Sequence, residues 1–184
     1  WRRLGLRISE SVMLDIRDWR PDLGQIGKLH VRFGKGSRGR GYKPRLIPAI
    51  NGADALIDWW LAEVRPQFGA DWSDPDAPLL PSERIDRERE RPLRVGPNAL
   101  RRALAEQTTL WLPSWAGRMT PHVLRHYCAS SLYAAGMDLK ALQELLGHNW
   151  LSSTSQYIHV RSEHIENAWQ QANARMERRL GGEG

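Results

Sequence analysis

Residues 120–160, TPHVLRHYCASSLYAAGMDLKALQELLGHNWLSSTSQYIHV, leave the backbone little choice. Thr120 offers a capping hydroxyl and Pro121 follows it at the first helical position, where a missing N–H costs nothing. Gly136 stops that helix, Asp138 caps the next, and Gly147 stops it in turn. A polar turn, SSTSQ, then leads to Tyr157. At about 100° per residue, Leu124, Cys128, Leu132 and Ala135 form one stripe of the first helix, expected to face the core. His122, Arg125, Ala129 and Tyr133 share the adjoining face, and His122 and Arg125, three apart, leave the helix as neighbours able to grip one anion.

Upstream, residues 6–16 read as a helix, with Ile8, Val12 and Ile16 spaced to face a core. Residues 28–33 (KLHVRF) alternate as a half-buried strand, GKGSRGRG at 34–41 is a cationic glycine-rich turn, and residues 42–48 return as a second strand. Pro44 places that strand at an edge. Residues 51–64 predict a helix capped by Asn51, and residues 66–81 a loop. Residues 82–94 carry both charge signs and read as a solvated surface segment. Residues 98–107 predict a helix with Leu100 and Leu104 inward. Trp59, Trp60, Trp111 and Trp115 are expected in the core rather than as stacking platforms for bases. A last amphipathic helix is expected from 162 to 180, ahead of a GGEG tail. The fold class expected is mainly α with a small antiparallel β-sheet at one edge.

With 184 residues, 41% of them hydrophobic, the chain can build one well-packed domain. No apolar run is long enough for a transmembrane helix. The single Cys128 can form no internal disulfide, which suits a reducing cytoplasm. A net charge of +6 favours a polyanionic partner. No βαβ alternation or phosphate-binding glycine fingerprint is present, and GKGSRG lacks the spacing of a Walker motif. His122 and His126 stand at i, i+4 as in zinc peptidases, but Val123 occupies the position that chemistry needs as Glu, so no metal is expected.

The order H-x-x-R at 122–125, L-G-H at 146–148 and Tyr157 nine residues later resembles the tyrosine recombinases, the phage-integrase and Xer-like family. GLRISE at 5–10 resembles the family's first-arginine motif, and FGKGSRGRGYKPRLIP at 33–48 its β-hairpin motif. The resemblance implies the fold of that family's catalytic domain and a catalytic set of Arg7, Lys35, His122, Arg125, His148 and Tyr157, with Glu10 in support. It implies DNA contacts from Lys35, Arg38, Arg40 and Lys43, no cofactor, double-stranded DNA as partner, and self-association as a tetramer on a DNA synapse. The setting implied is cytoplasmic and nucleoid-associated, with no membrane. Residues 1–184 would form one catalytic domain without the N-terminal helical domain that clamps DNA in the family. Residues 162–184 would pack on their own domain or dock on a neighbouring protomer. The activity implied is site-specific recombination through a phosphotyrosyl intermediate. The alternatives are a type IB topoisomerase-like or telomere-resolvase nick-and-reseal enzyme, and a catalytically idle DNA-binding fragment.

Overall fold

The computed structural model describes residues 1–34, 41–147 and Gln170. The N-terminal half is built on a three-stranded antiparallel sheet in the order β1 (Trp19–Arg20), β2 (Lys28–Val31), β3 (Arg45–Pro48). Leu29 pairs with Ile47 and Val31 with Arg45. The alternation expected of β2 is observed: Leu29 and Val31 are buried, while Lys28 and His30 are partly open. The strand ends at Val31, two residues early, because Arg32 turns back to the carboxylates of Asp18 and Asp15. Phe33 leaves the ladder for an edge-on contact with Tyr42. β3 likewise begins at Arg45 rather than at residue 42, beyond the Pro44 that cannot donate to a ladder.

The expected helix over 6–16 is reduced to α1 (Ile8–Ser11), followed by a 3₁₀ turn, Ile16–Asp18. The intervening chain is held instead by pairings from outside it. Arg94 donates to the carbonyls of Val12 and Leu14 at 2.8 and 2.9 Å, and Leu79 donates to Leu14. α2 (Ala53–Trp59) continues as a π-helical stretch, Trp60–Val64. Asn51 does not cap it: Gly52 holds that position in the left-handed region, and the Asn51 amide donates to the Arg3 carbonyl at 3.0 Å. Residues 82–94 are largely exposed, as expected of a solvated surface segment, and form a hairpin, β4 (Pro81–Asp86) and β5 (Arg91–Arg94), paired across a bulge. α3 (Pro97–Trp111) is longer than expected and turns Leu100, Leu104 and Thr108 inward.

α4 (Pro121–Ala134) and α5 (Leu139–Leu146) start and stop where the capping signals put them. Thr120 Oγ accepts from the Val123 amide, and Asp138 Oδ1 accepts from Lys140 and Ala141 at 2.9 Å. The buried stripe of α4 is rotated from the one expected: Arg125, Cys128 and Ala129 are buried, Leu124 and Leu132 are half-buried, and Ala135 is exposed. Leu142, Leu145 and Leu146 of α5 close over Leu4, Leu6 and the sheet residues Leu29, Val31 and Ile47 as one core. Each such side chain stabilises the fold by roughly 2 kcal/mol. Of the four tryptophans expected in that core only Trp60 packs against it, donating Nε1–H to the Leu79 carbonyl at 2.9 Å. Trp59, Trp111 and Trp115 are 52%, 73% and 43% exposed.

Candidate active site

Arg7, the residue before α1, and Arg125, on the second turn of α4, stand 118 residues apart in the sequence. The fold brings both to one buried carboxylate, Glu10, which is 2% exposed. Arg7 donates its backbone N–H to Glu10 Oε2 at 2.8 Å and Nη1–H to Oε1 at 2.6 Å. Arg125 Nη1 lies 3.9 Å from Oε2. A third guanidinium, overlooked in the sequence, completes the ring: Arg45 of β3 donates Nη1–H to Oε1 at 3.0 Å and Nη2–H to Oε2 at 2.9 Å. Strand alternation is the signal that could have found it. Ile47 points into the core, so Arg45, two residues earlier, must point inward too and needs an anion there.

The same three arginines cap α5. Its last carbonyls have no partners within the helix. Leu145 O accepts from Arg45 Nε at 3.0 Å, Leu146 O from Arg125 Nη2 at 2.7 Å, and Gly147 O from Arg7 Nη2 at 3.2 Å. Arg125 also donates to Gly5 O, so the carbonyls before Arg7 and at the end of α5 are joined through one side chain. Positive charge is favoured at a helix C-terminus, and three guanidiniums there also satisfy groups that burial would leave orphaned. Gly147 adopts φ 64, and a Cβ at that position would lie 2.7 Å from Arg45 Nη1.

Burial alone would push the Glu10 carboxyl up. The Arg45 fork, the Arg45 charge, and the hydrogen bond and charge of Arg7 outweigh it and hold Glu10 below the usual glutamate value, so it stays ionised. His122 is exposed on the first turn of α4, and its Nε2 lies 3.0 Å from Nε2 of His126. One proton shared between those nitrogens makes a hydrogen bond, and two would repel. Burial, then His122, then Arg125 lower the His126 pKa, which favours the singly protonated arrangement. Cys128, behind Arg125, is buried and its thiol is pushed up by that burial, so it is a packing residue rather than a nucleophile.

Lys43 is exposed and donates its backbone N–H to Gly34 O at 3.0 Å. Lys35, Arg38, Arg40, His148 and Tyr157 lie outside the described residues, as does the 162–184 segment. In the chain, Lys35 directly follows Gly34 and His148 directly follows Gly147. Among the described residues no three His, Cys, Asp or Glu side chains gather to hold a metal, and no helix is long and apolar enough to cross a membrane. What is assembled is a dense cationic cluster, pinned on one carboxylate and on the end of one helix.

Residues 2–164 match the phage integrase family. Tyrosine recombinase XerC of Vibrio parahaemolyticus is 30% identical over 179 residues, covering 96% of this chain and 50% of that protein. XerC of Rhodospirillum centenum is 35% identical over 175 residues, covering 95% of this chain and 44% of that protein. The chain thus spans about half the length of the curated relatives it matches. Among solved structures, XerA recombinase superposes with a TM-score of 0.64 at 24% identity, over 93% of this chain and 54% of that one. XerH bound to its palindromic difH substrate after cleavage gives 0.64 at 23% identity, over 91% of this chain and 42% of that one. These neighbours establish the fold as that of a tyrosine recombinase catalytic domain, mainly α with small antiparallel sheets.

Proposed function

Because the chain belongs to the phage integrase family, we propose that it is the catalytic part of a site-specific DNA recombinase with Tyr157 as nucleophile. The observation that carries the reading is the convergence of Arg7 and Arg125 on Glu10 at the C-terminus of α5. A phosphodiester attacked by an oxygen nucleophile gathers negative charge on its non-bridging oxygens. Planar guanidinium forks match that geometry, and each preorganised donor contributes on the order of 10²-fold or more to the rate.

In the proposed reaction the Tyr157 oxygen attacks the scissile phosphorus and the bond to the 5′ oxygen breaks. A 3′-phosphotyrosyl link and a free 5′-hydroxyl result. The phenol, with a reference pKa near 10, is only about one part in a thousand ionised at pH 7 and needs a base or nearby cations. His122 takes that proton, His148 hydrogen-bonds the phosphate, and Lys35 protonates the departing 5′ oxygen. Attack by a second strand's hydroxyl on the phosphotyrosyl link releases Tyr157 and exchanges strands. One phosphoester replaces another throughout, so no ATP is consumed. Glu10 serves the two arginines rather than the substrate.

The partner is double-stranded DNA, contacted along its backbone by Lys35, Arg38, Arg40 and Lys43. Affinity should fall steeply with salt as counterions return to the phosphates. XerH, a structural neighbour, is seen with a DNA substrate in pre-cleavage and post-cleavage complexes, which supports the same partner here. Pairing two duplexes requires more than one protomer, and a tetramer on the synapse is the assembly proposed.

The test is capture. Full-length protein is incubated with a random-sequence duplex library, and protein–DNA adducts that survive denaturation are recovered. Wild type should yield an adduct on the 3′ side of the cut and Tyr157→Phe none. An adduct with Tyr157→Phe, or none with wild type, overturns the assignment. Arg125→Ala should lose cleavage far more than binding, and equal losses would make Arg125 a docking residue. Exchange between two duplexes carrying the recovered site separates recombination from relaxation of one supercoiled plasmid.

A further inference from the structure

Arg45 has no part in the chemistry above, yet its side chain holds both oxygens of Glu10 and the end of α5. All three of its guanidinium nitrogens are engaged by protein: Nε on Leu145 O, Nη1 and Nη2 on the two oxygens of Glu10. Its side chain is 9% exposed. Arg125 is more buried still, at 3%, so burial does not separate the two; what sets Arg45 apart is that its side chain holds both oxygens of Glu10, and its contribution passes through these neighbours.

Consider the cluster as a set of charges. Glu10 is a single carboxylate with two oxygens, and a bidentate fork is the strongest claim on it. Arg45 makes that fork. Arg7 then holds Glu10 through one side-chain bond, and Arg125 stands 3.9 Å from it. Among the described residues, three guanidiniums against one carboxylate leave the cluster with a surplus of two positive charges. Without Arg45, the surplus would halve and Glu10 would draw one of the other two arginines into its own fork. The matching charge on the substrate side is also two: a phosphodiester monoanion attacked by a phenolate passes through a dianionic phosphorane. A fixed surplus that equals the charge developed in the transition state stabilises it more than the monoanionic ground state, which is the condition for acceleration.

The second contribution is mechanical. Arg45 begins β3, ten residues after Lys35 in the chain, and its Nε holds the end of α5, which His148 follows in sequence two residues after Leu146. Gly147 lies against the same guanidinium, where a Cβ would come within 2.7 Å.

We propose that Arg45 is a positioning residue for strand cleavage: it neutralises Glu10 and anchors α5, so that Arg7 and Arg125 face the scissile phosphate as part of a net dication. This rests on the strand-cleavage reading. The test uses full-length protein and a duplex recovered by covalent capture from the random library, with its scissile phosphate mapped from the adduct. Two versions are made: one unmodified, and one with a non-bridging oxygen at that phosphate replaced by methyl, so that its transition state is a monoanion. Single-turnover cleavage is measured for wild type, Arg45→Lys and Arg45→Ala.

On the unmodified duplex Arg45→Ala should lose about 100-fold or more, the order expected for a preorganised charge contact. On the methylphosphonate the loss should be under about 5-fold. Millimolar guanidinium should restore at least about tenfold to Arg45→Ala on the unmodified duplex and leave wild type unchanged. Arg45→Lys keeps the charge but cannot span both oxygens and Leu145 O; it should fall between, with the same preference for losing the charged substrate. If Arg45→Ala fails to unfold cooperatively, the Arg45→Lys ratio decides alone. Equal proportional losses on both duplexes would make Arg45 a scaffold residue only, and wild-type rates in the variants would remove it from the mechanism. Both outcomes overturn the proposal while leaving the wild-type adduct intact. A wild type that forms no adduct overturns the cleavage reading, and this inference falls with it.

Discussion

Glu10→Gln replaces the carboxylate that holds the cluster with a neutral group of the same shape, and its cost can be worked from the contacts. The Glu10 side chain is 1% exposed and receives Arg7 N at 2.8 Å, Arg7 Nη1 at 2.6 Å and the Arg45 fork at 3.0 and 2.9 Å. Removing one partner from a buried ionic network costs about 3–5 kcal/mol, because the remaining charges lose their counter-ion without regaining water. Gln keeps one acceptor oxygen, which places the expected loss near the lower end, about 3 kcal/mol. That is a large part of a typical domain's stability of about 5–15 kcal/mol. With a urea slope of about 2 kcal/mol per molar, the unfolding midpoint at pH 7 should fall by about 1.5 M. The pH dependence is the sharper part. The fold holds Glu10 below its ordinary value of 4.5, so the unfolded chain binds the proton more readily in the window between the two values. The stability that the carboxylate supplies is therefore complete above pH 4.5 and is lost as pH falls through the folded value. In wild type the protonated carboxyl then resembles the glutamine, so the gap between wild type and Glu10→Gln should close in acid. Urea melts at pH 7 and at steps below pH 4.5 measure this. A midpoint shift under about 0.3 M at pH 7, or a gap that does not narrow with acid, would refute the cluster's energetics.

Two further outcomes are expected. Gly147→Ala should cost more than Gly117→Ala: both glycines have positive φ, at 64 and 72, but only at Gly147 would a Cβ meet Arg45 Nη1, at 2.7 Å. About 1–2 kcal/mol is expected for the backbone conformation at either site, with a further 1–3 kcal/mol at Gly147 for overpacking; equal shifts in Tm would contradict the close approach. His126 should titrate below 6.5 by NMR, held down by burial, by the neighbouring His122 and by the Arg125 charge, and His122→Ala should move it upward. A group whose folded pKa is depressed in this way costs stability as pH drops below 6.5, and a His126 midpoint at or above 6.5 would contradict the shared-proton geometry.

The sequence disclosed the parts of the fold governed by local chemistry. Thr120, Asp138 and Gly147 set the ends of α4 and α5 through caps that involve only their nearest neighbours, and β2 shows the alternation that half-burial demands. It failed where distant partners decide. Periodicity expects a charged residue to face water, yet Arg125 is buried because Gly5 O, Leu146 O and Glu10 come to it from other elements. The helix expected over 6–16 stops at Ser11 for the same reason, its carbonyls being taken by Arg94 from β5. The mixed charges of 82–94 marked an exposed surface but not its hairpin pairing, nor that Arg94 anchors the chain after α1. Arg7, Glu10 and Arg125 were legible as a pattern; the Arg45 fork became evident only when the strand register was in place.

The hydrogen bonds that build the cluster span long stretches of chain: 140 residues for Arg7 to Gly147, 120 for Arg125 to Gly5 and 100 for Arg45 to Leu145. Loops of that length close late in folding, after local helices and hairpins have formed. During synthesis, Arg7 and Arg45 emerge 140 and 100 residues before the carbonyls of Gly147 and Leu145 that they hold. A nascent or partly folded chain therefore carries the cations of the cluster without the helix end that arrays them. Under the proposed strand-cleavage function that ordering is a safeguard: the capacity to cleave would arrive together with the completed fold.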